Sequence, residues 1–153
     1  MKKCLIYTSL LLLLSLCSQK YDLEKTFFQS ALNDYPDLEN KYKAYIILPP
    51  SSCVPCNNYS VDMSINMLKK RLPVRLFFEC FPENYYVLLF KLQKISYENK
   101  DVIIDTLLKY RLPDNKWSDL PVVLFVNKNK IKKLSFQSSH DPHVFEKLFK
   151  LLE

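Results

Sequence analysis

The hydrophobic positions follow two different spacings along most of the chain. In four segments the apolar residues recur every three or four positions, the spacing of helices with one buried face. Shorter segments rich in apolar residues lie between these helices, and an unbroken apolar run such as residues 44–48 is typical of a strand buried on both faces. The predicted helices cover residues 21–34, 54–71, 82–95 and 142–152. The predicted strands cover residues 43–48, 73–79, 121–127 and 131–136.

Particular apolar residues carry the helical spacing of the two terminal helices, and in the last helix they are predicted to form its buried side. In the first helix they are Leu23, Phe27, Ala31 and Leu32. In the last helix they are Val144, Phe145, Leu148, Phe149, Leu151 and Leu152. The pair Asp141-Pro142 is typical of a helix start, with Asp141 as the N-cap and Pro142 at the first helical position.

The connections complete the prediction of the fold. Asn127-Lys128-Asn129-Lys130 predicts a tight hairpin turn, in which Asn takes the place of the usual Gly. Residues 101–112 are ambiguous, because they fit a short strand at 102–104 or a helical turn at 106–110. Helices and strands alternate up to this insertion, and a hairpin and a helix follow it. This order predicts an α/β/α sandwich with a mixed central sheet.

The composition excludes several functional classes. The chain has 153 residues, which fits one domain with its own core. It contains no Gly, so Gly-rich phosphate loops and dinucleotide-binding fingerprints are excluded. The formal net charge is +6, but the lysines are spread along the chain and form no tract dense enough for a nucleic-acid groove. We therefore expect no nucleic-acid partner.

The N-terminal segment has the pattern of an export signal. Two lysines precede the apolar stretch 5–16, which suits a signal peptide and is shorter than the roughly 20 residues of a membrane-spanning helix. The segment Leu14-Ser15-Leu16-Cys17 resembles a bacterial lipobox, whose Cys is lipidated and becomes the new N-terminus. We expect residues 1–16 to be a signal peptide and Cys17 to carry the lipid. An uncleaved anchor and ordinary secretion are the alternatives.

The predicted signal peptide and lipid anchor also predict the compartment of the protein and the division of the chain into segments. Residues 17–39 would form the lipid-anchored N-terminus with the first helix, and residues 40–153 would form the main domain. The protein would lie in the cell envelope, facing the periplasm and anchored to the inner or the outer membrane. Disulfides persist in that compartment.

Cys53-Val54-Pro55-Cys56 is the motif with the clearest chemistry. It lies where a predicted buried strand is followed by a predicted helix, and the free N–H groups of a helix start favour a thiolate. Such surroundings lower the pKa of a Cys from about 8.5 to between about 3.5 and 7.5. A thiolate can attack a disulfide, and a second thiol then releases the mixed disulfide. Cys53 is thus the predicted nucleophile and Cys56 the predicted resolving residue.

Two segments resemble the thioredoxin superfamily, and within it the membrane-tethered TlpA-like, or redoxin, branch. The first is the strand 45–48 that leads to the Cys pair, with Pro55 before the second Cys. The second is the segment 119–125, Asp-Leu-Pro-Val-Val-Leu-Phe, with the hairpin and the last helix after it. The resemblance implies a thioredoxin-like fold over residues 40–153 and a redox-active Cys53–Cys56 disulfide. It also implies a cis peptide bond before Pro121, with the backbone of Leu120 pairing with an extended substrate.

Two positions depart from the family pattern. Ser52 precedes the first Cys, where the family usually has an aromatic residue. The strand 45–48 also lacks a buried acid to take a proton from Cys56. Glu79 and Asp105 are the alternative proton acceptors that the sequence offers.

The predicted function is that of a membrane-anchored thiol-disulfide oxidoreductase that needs no cofactor. Its partners would be protein dithiol or disulfide substrates and an envelope electron donor, and the resemblance favours reduction of the substrates. A non-catalytic thioredoxin-fold lipoprotein that binds or scaffolds other proteins is the alternative.

Other interpretations of the cysteines remain open at this stage. The pair could be a static disulfide. No metal site is expected, since zinc needs four ligands and the motif supplies two. His140 and His143 have a spacing that suits a metal, but the predicted fold places them away from Cys56, at the start of the last helix. Cys80 is predicted to be a small buried hydrophobe, with a third redox partner as the alternative.

Overall fold

A computed structural model of the chain describes residues 21–50, 54–79, 99–113 and 117–153. Three α-helices lie in this part of the chain: α1 (Asp22–Leu32), α2 (Val54–Lys69) and α3 (Val144–Leu152). The five strands are β1 (Ala44–Leu48), β2 (Val74–Glu79), β3 (Val102–Asp105), β4 (Val122–Asn127) and β5 (Lys130–Phe136). A 3₁₀ turn, Asn99–Asp101, leads into β3. The predicted helix at 82–95 lies outside the described residues.

The five strands form one mixed sheet in the order β3-β2-β1-β4-β5. The strands β1, β2 and β3 run parallel, whereas β4 is antiparallel to both β1 and β5. Ile47 near the end of β1 therefore pairs with Phe77 on one side and with Val122, the first residue of β4, on the other. The C-terminal ends of β1 and β2 and the beginning of β4 meet at one edge of the sheet.

Both faces of the sheet are covered, as the continuous apolar strands predict. On one face, Tyr45, Ile47 and Phe77 pack in one cluster with Phe28 and Leu32 of α1. On the other face, the strand residues pack with side chains of α2 and α3. That second cluster contains Ile46, Leu76, Val123, Met67, Leu68, Val144, Phe145 and Leu148. The predicted α/β sandwich with a mixed central sheet is confirmed. The helix α1 packs against the same sheet as α2 and α3, on the opposite face.

Both terminal helices leave some of these apolar residues exposed, so the predicted buried side of the last helix is partly wrong. Leu23 is 85% exposed, and the first helix instead buries Phe28 together with Leu32. In the last helix Val144, Phe145 and Leu148 are buried as predicted, but Leu151 is exposed. The spacing of apolar residues identifies α1 as a helix but does not identify the side that meets the sheet, because α1 has two overlapping sets of apolar side chains.

The start of the last helix also differs from the prediction. The helix begins at Val144, with His143 as N-cap and no capping side-chain hydrogen bond. Asp141 instead closes a turn, since its N–H donates to the Ser138 carbonyl (3.1 Å) and its carboxylate accepts from Lys147 Nζ (2.8 Å). Pro142 is held by another bond, in which Gln137 Nε2 donates to its carbonyl (2.6 Å). These local hydrogen bonds hold Asp141 and Pro142 in a turn before the helix, so Asp141 is not the N-cap.

The connections around β3 to β5 are settled by the structure. Residues 102–105 form a strand, and residues 106–110 form turns rather than helix. The predicted hairpin between β4 and β5 is confirmed: Lys128 and Asn129 have φ angles of 49° and 60°. Two left-handed residues in succession match the twist of the strands that they join.

Candidate functional site

The segment that leads to the Cys motif, Pro49-Pro50, leaves the sheet at the edge where β1 and β2 end and β4 begins. The strand β1 ends at Leu48 and α2 begins at Val54, so the backbone of Cys56 belongs to the first turn of a 16-residue helix. The predicted helix start at the motif is confirmed. Cys53, the side chain of Cys56, Cys80 and Cys17 lie outside the described residues.

Leu120 and Pro121 lie beside the point where the chain leaves β1. Because Ile47 pairs with Val122 in an antiparallel ladder, Pro121, the residue just before β4, lies level with the end of β1. The Pro121 carbonyl accepts a hydrogen bond from Gln137 N (2.8 Å), which extends the ladder between β4 and β5. The Leu120 N–H donates to the Trp117 carbonyl (3.1 Å), so this donor is already used within the protein.

The expected cis bond before Pro121 is absent. No peptide bond in the described part of the chain is cis, so the Leu120–Pro121 bond is trans and this part of the prediction is wrong. The trans form is favoured for X-Pro bonds by about 0.5–1 kcal/mol. Here Pro121 leads directly from the Trp117–Leu120 turn into the ladder of β4, and the hydrogen bonds on either side of the bond are satisfied in that form.

Glu79, the last residue of β2, is an unusual side chain at the same edge. It is only 3% exposed, and neither carboxyl oxygen has a hydrogen-bond partner among the described residues. Burial, and after it the negative charge of Asp105, raise the pKa of Glu79 to about 8, against a lowering by Arg111. A carboxyl group with this pKa is mainly protonated, and thus uncharged, at neutral pH.

Asp105 is the cross-strand neighbour of Glu79 and has different surroundings. The two residues are register partners in the parallel pair β2–β3. Asp105 Oδ1 accepts from Leu107 N and its Oδ2 accepts from Tyr110 N, both at 3.1 Å. Two acids therefore lie side by side, one anchored by backbone N–H groups and the other without a described partner.

A small cavity connects Glu79 to the rest of this edge. Its volume is about 10 Å³, close to the lower limit for one water molecule. Glu79, Pro49 and Leu120 all contribute to its wall. The cavity therefore joins the buried acid, the segment just before the Cys motif and the segment just before Pro121.

The loop between β3 and β4 covers this cavity. Arg111 Nη2 and Asp119 Oδ1 form an ion pair at 2.8 Å that links the two limbs of the loop. Trp117 stacks on Phe136 of β5, with ring centroids 4.9 Å apart and an angle of 14° between the planes. Tyr21 meets both rings edge-on, each at 5.5 Å. An aromatic cluster thus closes the side of the cavity next to β5.

The histidines do not join this site. His143 is the N-cap of α3, and its Nδ1 lies 3.4 Å from Glu146 Oε1 in an exposed pair. His140 is exposed, and its N–H donates to Ser138 Oγ (3.3 Å). Within the described ranges no group of three or more His, Cys, Asp or Glu side chains is placed to hold a metal ion.

A second cleft, of about 180 Å³, lies at the opposite end of β2. It is lined in part by Arg75, which is 6% exposed and donates to two carbonyls, those of Tyr35 (2.7 Å) and Lys100 (2.9 Å). The guanidinium also lies over the Tyr42 ring, 4.2 Å from its centre. Sequence reasoning did not single out Arg75, since only the folded chain brings these carbonyls together. Its contacts hold the segments around the cleft in place.

Comparison with known proteins leaves the family open. No family model matches the chain, and no curated protein or solved structure is similar to it. None of the helices in the described segments is long and apolar enough to cross a bilayer.

Proposed function

We propose that the protein is a membrane-anchored thiol-disulfide oxidoreductase with a thioredoxin-like fold, of the TlpA-like kind. One observation carries the proposal. The buried strand β1 leads to the motif Cys53-Val54-Pro55-Cys56, within which α2 begins. The strand β4, which follows Pro121, is antiparallel to β1 and begins where β1 ends. The resemblance in sequence requires this juxtaposition, although residues 48 and 121 are far apart in the chain.

The proposed reaction is an exchange of two electrons between cysteine pairs. The Cys53 thiolate attacks one sulfur of a substrate disulfide, and the other substrate sulfur leaves as a thiolate, which takes up a proton. The Cys56 thiol then loses its proton and attacks Cys53, which releases the second substrate thiol and leaves a Cys53–Cys56 disulfide. An envelope dithiol donor returns the pair to the reduced form by the reverse exchange.

We propose that Glu79 takes the proton of Cys56. Glu79 is the last residue of β2, at the edge of the sheet where β1 also ends, and it borders the same cavity as Pro49. Its pKa of about 8 is close to the ordinary value of about 8.5 for a Cys thiol, so proton transfer between the two groups is nearly balanced in free energy. Asp105 is less suited, because both of its oxygens already accept backbone N–H groups.

The test is reduction of insulin by the purified chain with dithiothreitol as electron source. The wild type should accelerate reduction, and Cys53→Ser should abolish the acceleration. Cys80→Ser is the matched control and should keep the activity, since Cys80 is predicted to be a buried bystander. Equal rates for wild type and Cys53→Ser would contradict the proposal.

The second candidate is a thioredoxin-fold lipoprotein that binds other proteins without redox turnover. It is favoured by the trans bond before Pro121 and by Ser52 in place of an aromatic residue. It predicts that Cys53 is alkylated slowly, with a thiol pKa near the ordinary value of about 8.5. Rapid alkylation with a midpoint well below about 7.5 rules it out.

A further inference from the structure

The end of the sheet opposite the exit of β1 gathers basic side chains that are far apart in the sequence. The end of α2, the start of β1 and the β4–β5 hairpin meet there, because β2 is parallel and β4 antiparallel to β1. Backbone hydrogen bonds join these segments: Lys43 N donates to the Pro73 carbonyl (2.7 Å), and Val126 N donates to the Lys43 carbonyl (3.0 Å). We call this surface the basic end. Its exposed cations are Lys43, Lys69, Lys70, Arg71, Lys128 and Lys130.

The acids of the fold leave most of this charge unbalanced. Glu153 pairs with Lys70, whereas the other five cations form no ion pair with any acid in the part of the chain that the structure describes. Asp37 lies behind the hairpin, but it is buried, and its carboxylate accepts the Tyr42 N–H (2.8 Å). Six cations with one acid, Glu153, give a net charge of +5, out of +6 for the whole chain. The net positive charge is therefore concentrated on one surface.

The neighbouring cleft beside Arg75 differs from the basic end in this respect. Both lysines in its wall are paired with acids, Lys41 with Asp101 (2.8 Å) and Lys100 with Glu39 (3.6 Å). The cations around the cleft are thus balanced locally. The field of the basic end instead extends into the solvent, where it attracts a partner with many negative charges.

An exposed apolar side chain lies next to the basic end. The helix α3 ends there, since Glu153 pairs with Lys70, and Lys70 Nζ lies over the Phe149 ring, 4.6 Å from its centre. Leu151, two residues before Glu153, is 68% exposed. Cations beside an exposed aliphatic side chain are typical of proteins that lie on a membrane surface, because the cations meet phosphates while the apolar group enters the acyl boundary.

We propose that the basic end binds the headgroups of anionic phospholipids, with Leu151 inserted beside them. This site goes beyond the proposed function and depends on neither the Cys pair nor the anchor at Cys17. A Lys or Arg near an anionic lipid surface strengthens binding by about fivefold, and added salt weakens the attraction. The backbone of all six cations is fixed by the ends of strands and of α2 and by the hairpin, so docking orders little additional chain.

The test measures sedimentation of the full-length chain with vesicles of phosphatidylcholine, with or without phosphatidylglycerol. Cys17→Ser is present throughout, so that the protein carries no attached lipid. We expect phosphatidylglycerol to strengthen binding strongly at low salt. The variant Lys43→Gln/Arg71→Gln/Lys128→Gln should bind the mixed vesicles about a hundredfold more weakly, at about fivefold for each cation removed.

A matched variant separates the surface from the net charge of the chain. Lys25→Gln/Lys109→Gln/Lys147→Gln removes three charges from other parts of the molecule, and two of these lysines belong to exposed ion pairs of little value to stability. It should bind the mixed vesicles nearly as well as the starting chain. Equal losses in the two triple variants would show that net charge alone attracts the vesicles, and would overturn the inference.

A further pair of variants separates lipid from other polyanions. Leu151→Gln should weaken binding to the mixed vesicles several-fold, while Leu23→Gln, at the start of α1 and 85% exposed, should leave it unchanged. The inference is wrong if Leu151→Gln binds as tightly as the starting chain. It is equally wrong if poly-L-glutamate or a DNA duplex binds more tightly than the mixed vesicles in the same buffer, since the basic end would then fit an acidic protein or a nucleic acid.

Discussion

Replacing Glu79 by glutamine tests whether an uncharged carboxyl group is buried at the end of β2. Glutamine has nearly the shape of the protonated acid but cannot ionise. Glu79 is 3% exposed, and its pKa is raised from 4.5 to about 8, mainly by burial. The substitution therefore removes the cost of holding this group uncharged, and leaves the packing of β2 unchanged.

The sign of the effect follows from proton binding. Between pH 4.5 and about 8 the folded protein keeps a proton on Glu79 that the unfolded chain has lost. Stability from this group is full below pH 4.5 and is lost as the pH rises, by up to ~1.4 kcal/mol per pH unit. At pH 7 the loss relative to pH 4 is about 3 kcal/mol, and the loss stops growing above about pH 8.

Urea unfolding at a series of pH values measures this difference. Wild type and Glu79→Gln should have nearly equal stability at pH 4, and the variant should be more stable by about 3 kcal/mol at pH 7. With an m-value of ~2 kcal/mol/M, that difference moves the midpoint by ~1.5 M. Glu39→Gln is the matched control, because it removes the same charge from a side chain that is 76% exposed, and it should follow the wild type.

The reasoning is refuted by a difference between wild type and Glu79→Gln that does not change with pH. It is equally refuted if the variant loses stability relative to the wild type as the pH rises from 4 to 7, since that direction requires an ionised Glu79 with a favourable partner. Other titrating groups affect both proteins alike, so the difference between them isolates Glu79.

Two further predictions concern neighbouring and distant features. Asp105→Asn removes the negative charge next to Glu79, so the pKa of Glu79 should fall. The stability difference between this variant and Asp105→Asn/Glu79→Gln should then level off at a lower pH than in the wild-type background, and an unchanged pH would contradict the assigned cause. Lys128→Gly should stabilise the β4–β5 hairpin by about 0.5–1 kcal/mol in the same urea assay, because φ is 49° there. Lys130→Gly in β5 is the control and should destabilise instead.

The strands β1, β2 and β4 could be predicted from the sequence because each contains a local apolar run, whereas the sequence left β3 ambiguous and β5 mixes apolar and polar residues. Strands β1 and β2 are buried at every residue, so their signal does not depend on a partner. The hairpin between β4 and β5 could also be predicted from neighbouring residues, because Asn tolerates the left-handed conformation that a two-residue turn requires. The buried side of α1 could not be predicted from neighbouring residues. Leu23 and Phe28 are both apolar, and contact with the sheet decides which of them is buried.

The surroundings of Glu79 could not be predicted without the tertiary structure. Glu79 could be named from the sequence as a candidate, but its burial and the pairing with Asp105 depend on β3, which lies more than 20 residues farther along the chain. The sequence also gave no sign of the Arg111–Asp119 pair above the cavity. The conformation of the Leu120–Pro121 bond is set by the turn before it and the ladder after it, which resemblance alone could not supply.

The topology of the sheet explains why these separate features meet at one edge. Parallel strands end on the same side, so Glu79 at the end of β2 and Asp105 at the end of β3 lie beside the exit of β1. An antiparallel strand begins where its neighbour ends, so Pro121 and Leu120 come to the same place from the other direction. Redox chemistry of the Cys pair would then take place beside a buried acid whose pKa of about 8 lies within the range in which thiols ionise. The proton and the electron pair would then be handled at one edge of the sheet.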